Sequence, residues 1–147
     1  MVNRILRSTL VLIVWLFAVN GAVAAESQKP ELLLVYWSSE DCRWCTWWES
    51  SMSGMERRLR ESEEFKKITY RVVKNKRLAD PYAREDFPQD IWWIFERVQR
   101  GEEKRTGRPG WVMYVDRKRI ASFYGTKNWD EKHLPEIKRL VATHSGN

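Results

Sequence analysis

The chain has 147 residues, which is room for one domain, and 26 Lys and Arg against 20 Asp and Glu give it a formal net charge of +6. Clusters of basic residues alternate with acidic ones, a pattern typical of solvated helix faces and turns, and this argues against a nucleic-acid-binding function. The chain has only two cysteines, which excludes a framework of several structural disulfides.

The N-terminal segment has the layout of a secretory signal peptide. Two arginines precede the apolar run 10–19, and Ala22-Val23-Ala24 is a small-x-small cleavage pattern. The apolar run is shorter than the about 20 residues that a membrane span needs. We therefore predict a signal peptide over residues 1–24 and a mature domain over residues 25–147 without a membrane span, exported to the periplasm. An uncleaved signal anchor is the alternative.

The next segment is the most informative part of the chain. The apolar run Leu32–Trp37 is typical of a strand buried on both faces. From Cys42 to about Arg60 the pattern predicts a helix, with Asp41 as its N-cap. The residues predicted to face inward are Cys45, Trp48, Met52, Met55 and Leu59. Two thiols three residues apart can close a reversible disulfide, and the start of a helix favours the thiolate of the first one.

The rest of the chain predicts three more strands and two more helices. In chain order these are a strand over Ile68–Val73, a helix over Gln89–Arg100, a hairpin of strands over Trp111–Val115 and Arg119–Tyr124, and a helix that begins at Asn128 or Asp130. The order is β-α-β-α-β-β-α. We expect the strands on either side of each helix to be parallel and the last pair antiparallel. The result is an α/β fold with a four-stranded mixed sheet and helices on both faces.

This order, with a dithiol after the first strand, resembles the thioredoxin superfamily. The resemblance rests on Val35-Tyr36-Trp37 leading into Cys42-Arg43-Trp44-Cys45, on Gly107-Arg108-Pro109-Gly110 at the third strand, and on the hairpin with its closing helix. It covers nearly all of residues 32–141. It implies a thioredoxin-like fold and a thiol:disulfide oxidoreductase that needs no bound cofactor. In that family the loop proline takes a cis peptide and faces the dithiol, which assigns Pro109 to the site.

The sequence departs from the family pattern close to the dithiol. Val35 stands where thioredoxins have a buried acid, and Arg108 stands where Thr, Ile or Val usually precedes the cis-proline. One extra residue separates Trp37 from Cys42, compared with thioredoxin itself. The additional N-terminal strand and helix of thioredoxin have no room, because only Ala25–Glu31 precede the first strand. The resemblance is therefore to a trimmed periplasmic relative.

The position of each cysteine suggests its role. We assign Cys42, exposed at the helix start, as the attacking thiol and Cys45, one turn further on, as the resolving thiol. Arg43 lies between them, and Arg108 lies across from them if Pro109 is cis. Both cations favour thiolate over thiol, whereas the nearby anions Glu40 and Asp41 oppose it. We expect the balance to lower the pKa of Cys42. A stabilised thiolate makes the disulfide a better oxidant, yet the sequence leaves the direction of electron flow open.

The expected partners are protein thiols or disulfides and a redox partner protein. Trp44, Trp47 and Pro109 are predicted to form a partly apolar platform for an extended substrate segment. Two other interpretations stay open: a non-catalytic binding module with a structural disulfide, and a copper-handling protein with two thiolates and a histidine. A four-cysteine zinc site and haem attachment are excluded, because the chain has two cysteines and Thr46, not histidine, follows Cys45.

Overall fold

The computed structural model describes residues 29–146, so the predicted signal peptide lies outside the described residues. The strands are β1 (Leu32–Ser39), β2 (Thr69–Asn75), β3 (Gly110–Val115) and β4 (Lys118–Tyr124). The α-helices are α1 (Arg43–Glu49), α2 (Met55–Arg60), α3 (Trp92–Gln99) and α4 (Leu134–His144). Within this part of the chain, no helix combines the length and the apolar character needed to cross a membrane.

The four strands form one sheet in the order β2-β1-β3-β4. β1 and β2 are parallel, whereas β3 is antiparallel to β1 on one side and to β4 on the other. β3 and β4 are joined by a tight turn in which Asp116 and Arg117 both have positive φ, the conformation of a two-residue hairpin loop. This strand order and these directions are those of a thioredoxin-like fold, so the predicted fold class is confirmed.

The prediction that the strands on either side of the second helix run parallel is wrong. β2 ends at Asn75, which pairs with Ser39, and β3 begins at Gly110, which pairs with Trp37. Both residues therefore lie at the same end of the sheet. The chain between β2 and β3 begins and ends there, so β3 runs antiparallel to β2. α3 has only 8 residues, about 12 Å of helix, and the loops on either side of it complete the return.

The central strand β1 contributes to two cores, as its continuous apolar sequence predicts. Leu34 and Tyr36 belong to a core that is covered by α1, α2 and α4. Val35 and Trp37, which point to the opposite face, belong to a second core that is covered by α3. Helices therefore cover both faces of the sheet. The carboxyl end of β1 leads directly to the two cysteines.

The single helix predicted after Cys42 is two helices in the structure. α1 ends at Glu49, and Gly54, with a φ of +62°, separates it from α2. Between them the hydroxyl of Ser53 donates to the carbonyl oxygen of Trp48 at 3.2 Å, a local bond that competes with helical pairing. As a result Met52, which was predicted to face inward, is 84% exposed.

The remaining predicted strands and helices are present, and three short segments of other helix types adjoin them. A 3₁₀ segment, Gln89–Ile91, precedes α3, and another covers Glu63–Lys67 before β2. A π-helical turn, Trp129–His133, precedes α4. Pro135 lies in the first turn of α4, where its missing N–H costs least.

Candidate functional site

Cys42 and Cys45 form a disulfide at the start of α1, with their Cα atoms 5.2 Å apart. Cys42 is the N-cap of the helix, and its Sγ accepts a hydrogen bond from the backbone N–H of Cys45 at 3.2 Å. Asp41, the N-cap predicted from the sequence, instead accepts a hydrogen bond from the backbone N–H of Leu78. The first sulfur of the pair therefore takes the capping position itself.

Both cysteines are buried, which differs from the exposed Cys42 that the sequence predicts. Cys42 is 3% exposed and Cys45 is 0% exposed. The reason is that the disulfide packs into the core beneath it, together with Tyr36, Trp48 and Trp111. Cys42 is still the more accessible of the two, and its role as the attacking thiol stays a prediction.

The Arg108–Pro109 peptide is cis, the geometry that the resemblance implies for this proline. A groove of about 470 Å³ lies beside it. The residues that line the groove are Trp44, Trp47, Met55, Arg108, Pro109, Tyr124, Gly125, Thr126 and Lys127. The three residues predicted to form an apolar platform, Trp44, Trp47 and Pro109, thus border one groove, which Tyr124 also lines.

The large apolar side chains that are exposed in residues 29–146 lie around this end of the molecule. We call them the apolar collar: Trp44, Trp47, Met52, Leu78 and Tyr124. Trp44, Trp47 and Tyr124 line the groove, and Met52 borders a second depression on the other side of the two tryptophans. Leu78 is bonded through its backbone to the residues that precede Cys42 and Pro109. Exposed apolar surface concentrated in this way is typical of an interaction site.

Arg43 lies at the surface beside the disulfide. Its guanidinium carbon is 5.6 Å from the centre of the Trp44 ring, within the range of a cation–π contact. Within residues 29–146 its side chain makes no ion pair. The predicted effect of Arg43 on the thiolate stays a prediction.

Arg108 points its guanidinium into the loop 77–82. Nε donates to the hydroxyl of Tyr82 at 2.7 Å, and Nη2 donates to the carbonyl oxygen of Asp80 at 3.2 Å. Nη1 donates to the carbonyl oxygen of Leu78, and the guanidinium carbon lies 4.0 Å from the centre of the Tyr82 ring. Every guanidinium nitrogen therefore has an acceptor in this loop. The predicted tuning of the Cys42 thiolate by Arg108 has no test here and stays a prediction.

Tyr82 is a site residue that sequence reasoning missed. Its hydroxyl donates to the carbonyl oxygen of Ser38 at 2.9 Å while it accepts the bond from Arg108. Burial raises the pKa of Tyr82 to about 12, although the nearby Arg108 guanidinium opposes this rise. The phenol therefore stays protonated at neutral pH and can make both bonds. No spacing rule links a tyrosine in a loop to an arginine 26 residues later.

Glu49 is a second residue that sequence reasoning missed. It lies one turn after Cys45 on α1, and its carboxylate accepts hydrogen bonds from the hydroxyls of Ser38 at 2.8 Å and Tyr36 at 3.1 Å. Lys74 pairs with it at 2.8 Å. Burial, with a smaller contribution from the charge of Glu49, raises the pKa of Tyr36 above its ordinary value. The spacing of four residues from Cys45, which places both on one helix face, is a signal that could have identified it.

The copper interpretation requires a histidine close to the two cysteines. Residues 29–146 contain no group of three or more His, Cys, Asp and Glu side chains placed to hold a metal ion. His133 packs against the ring of Phe123, and its Nε2 donates to the carbonyl oxygen of Tyr124 at 3.2 Å. His144 lies near the end of α4 and bonds to the carbonyl oxygen of Leu140. Neither histidine joins the cysteines in a ligand set.

Compared with known proteins, the chain matches no protein-family model and no curated protein. Among solved structures it is similar to the crystal structure of the periplasmic thioredoxin SoxS from Paracoccus pantotrophus in its reduced form. The identity is 16%, the TM-score is 0.49, and the match covers 76% of this chain and 97% of that one. The strand order and directions of this chain make its fold thioredoxin-like.

Proposed function

We propose that this protein is a thiol:disulfide oxidoreductase that exchanges electrons with protein substrates through Cys42 and Cys45. The observation that carries the proposal is the disulfide at the start of α1, beside the cis-proline loop of a thioredoxin-like fold. A disulfide that closes so short a loop adds little stability through chain entropy, so stabilisation is a poor reason for it. Redox exchange is the better reason.

The exchange takes place in two balanced steps. When a substrate disulfide is reduced, the Cys42 thiolate attacks one of its sulfurs, the substrate S–S bond breaks, and the released sulfur takes up a proton. The Cys45 thiol then loses its proton and attacks Sγ of Cys42 in the mixed disulfide, and the second substrate sulfur leaves and is protonated. The substrate gains two electrons and two protons, and the Cys42–Cys45 disulfide forms. The reverse sequence oxidises a substrate dithiol, and a dithiol or disulfide partner protein restores the starting state.

The surroundings of Cys42 support its role as the attacking thiol. The N–H of Cys45 that donates to its Sγ in the disulfide is also a donor for the thiolate after reduction. The helix start and the unpaired charge of Arg43 act in the same direction. We therefore expect the pKa of the reduced Cys42 thiol to lie below the about 8.5 of a free cysteine.

The apolar collar supports a protein as the substrate. Its five residues come from α1, the break after α1, the loop after β2 and the end of β4. Exposed apolar side chains gathered from several elements are typical of a protein interaction site. We further propose that the exchange takes place in the periplasm. The support is the signal-peptide pattern of residues 1–24 together with the oxidising conditions of that compartment.

Insulin reduction by dithiothreitol tests the proposal. The purified protein is expected to accelerate the precipitation of the insulin B chain, and Cys42→Ser is expected to lose the acceleration. Cys45→Ser, which keeps the attacking thiol but not the resolving one, is expected to accumulate a mixed disulfide that mass spectrometry detects. If the wild-type protein does not exceed dithiothreitol alone, and iodoacetamide labels neither cysteine after reduction, the pair is an inert structural disulfide.

A further inference from the structure

We infer that Arg108 is a positioning residue that holds the loop 77–82 beside the dithiol, and that this loop selects protein substrates through Leu78. The inference rests on the proposed function. It gives Arg108 a role different from the electrostatic one that the sequence suggests, because its side chain is directed into the loop.

The backbone of Leu78 is held from both sides of the site. Its N–H donates to Oδ1 of Asp41, the residue that immediately precedes Cys42. Its carbonyl oxygen accepts a hydrogen bond from Nη1 of Arg108, the residue that immediately precedes Pro109. One loop residue therefore connects the segment that carries the dithiol to the segment that carries the cis-proline.

Other bonds fix the same loop to the sheet. Asn75, at the end of β2, donates from Nδ2 to the carbonyl oxygens of Arg77 at 2.9 Å and Asp80 at 3.1 Å. Tyr82, at the far end of the loop, is anchored to β1 through the carbonyl of Ser38 and stacks beneath the Arg108 guanidinium. A substrate therefore meets an ordered loop, and ordering it on binding costs little conformational entropy.

The side chain of Leu78 is accessible to a partner. It is 49% exposed although its backbone is tied down. A cavity of about 440 Å³ lies between the loop and residues 105–108, and Arg108 lines both this cavity and the groove of Trp44 and Trp47. The loop and the two tryptophans therefore border two cavities that share Arg108 as a lining residue. A substrate segment that extends from the groove past Arg108 meets Trp44 and Trp47 in one cavity and Leu78 in the next.

A double-mutant cycle tests the coupling between Arg108 and Leu78. The readout is the ratio of kcat/KM for insulin to kcat/KM for the small substrate hydroxyethyl disulfide. Arg108→Gln and Leu78→Ala are each expected to lower this ratio about fivefold, the effect of losing one contact to a partner. The double variant is expected to lower it by about the same factor, because both changes remove the same contact. If Arg108 and Leu78 act independently, the double variant lowers the ratio by the product of the two single effects, and this result would overturn the inference.

Two further measurements separate positioning from electrostatics. Amide hydrogen exchange at Leu78 is expected to speed up in Arg108→Gln and in Asp41→Ala. Asp41→Asn retains an acceptor oxygen but no charge, and it is expected to lie closer to wild type than Asp41→Ala. The ultraviolet absorbance of the thiolate gives the pKa of Cys42, which is expected to change little in Arg108→Gln. Arg139→Gln, which removes an exposed arginine of α4, is the matched control and is expected to change neither readout.

The possible failures are distinguishable. A raised pKa of Cys42 in Arg108→Gln, with equal losses for insulin and for the small disulfide, would overturn the positioning role and assign Arg108 to the thiolate. Normal wild-type turnover with an unchanged ratio in Leu78→Ala would overturn the specificity role alone. A wild-type protein that turns over neither disulfide overturns the proposed function and this inference with it. If Arg108→Gln does not fold, Leu78→Ala and the two Asp41 variants still test the loop.

Discussion

The two faces of α1 carry the same kinds of residue in opposite environments. On one face Cys45 and Trp48 are completely buried, and Trp48 packs against the rings of Tyr36 and Trp111, with centroids 4.4 and 5.1 Å away. On the other face Trp44 and Trp47 are 56% and 40% exposed. Indole rings a few residues apart on one helix can therefore stabilise the fold or remain available to a partner, and burial decides between these roles.

Truncation of the buried tryptophan is the strongest challenge to this comparison. Trp48→Ala removes a fully buried side chain from the middle of an aromatic cluster, and we expect it to lower the free energy of unfolding by about 3–5 kcal/mol. Urea unfolding followed by circular dichroism measures the change. An effect below about 1 kcal/mol, which is typical of surface substitutions, would show that the two faces do not differ in their contribution to stability.

High pH tests the buried side of the molecule without any substitution. Burial raises the pKa of Tyr82 to about 12 and that of Tyr36 above its ordinary value, so the unfolded chain loses these protons first as the pH rises. The stabilising contribution of Tyr82 is therefore complete below about pH 10 and is lost between pH 10 and 12, a decrease of about 2–3 kcal/mol. Urea unfolding at a series of pH values measures the loss, and a flat profile up to pH 12 would contradict it.

The carboxylate at the end of α1 gives a smaller effect. Glu49→Ala leaves the hydroxyls of Tyr36 and Ser38 and the ammonium of Lys74 without their acceptor, so we expect a loss of about 1–3 kcal/mol. Glu49→Gln keeps an acceptor oxygen and is expected to lose less. Thermal unfolding compares the two variants. Equal losses in both would mean that the charge of Glu49, and not its acceptor oxygens, stabilises this region.

Features set by local pattern could be predicted from the sequence. The apolar run of β1 predicted a strand buried on both faces, and the cysteine pair that follows it predicted the position of the disulfide. The break at Gly54 was missed because the apolar spacing continues across it, while the bond from Ser53 to a backbone carbonyl leaves no periodic signal. The direction of β3 was missed because the connection after β2 is long, and its sequence does not indicate at which end of the sheet β3 begins.

The candidate site shows the same division. Trp44, Trp47 and Pro109 were predicted to meet and do border one groove, since each has a fixed place relative to the cysteines or to β3. The partners of Arg108 are backbone carbonyl oxygens, which every residue type supplies, so the sequence contains no sign of them. The burial of Cys42 depends on the aromatic core below it, which only the packed structure reveals.

The exposed face of α1 gives the smallest expected change in stability and the sharpest test of the comparison. Trp44→Ala removes an exposed ring, so we expect the free energy of unfolding to change by less than about 0.5 kcal/mol. Because the ring borders the groove beside Pro109, kcat/KM for insulin is expected to fall severalfold, and Trp44→Phe, which retains an aromatic ring, is expected to recover part of it. Insulin reduction and urea unfolding measured on the same preparations separate the two effects. A loss of stability with unchanged insulin kinetics would show that Trp44 stabilises the fold and does not contact the substrate. Both faces of α1 would then serve stability.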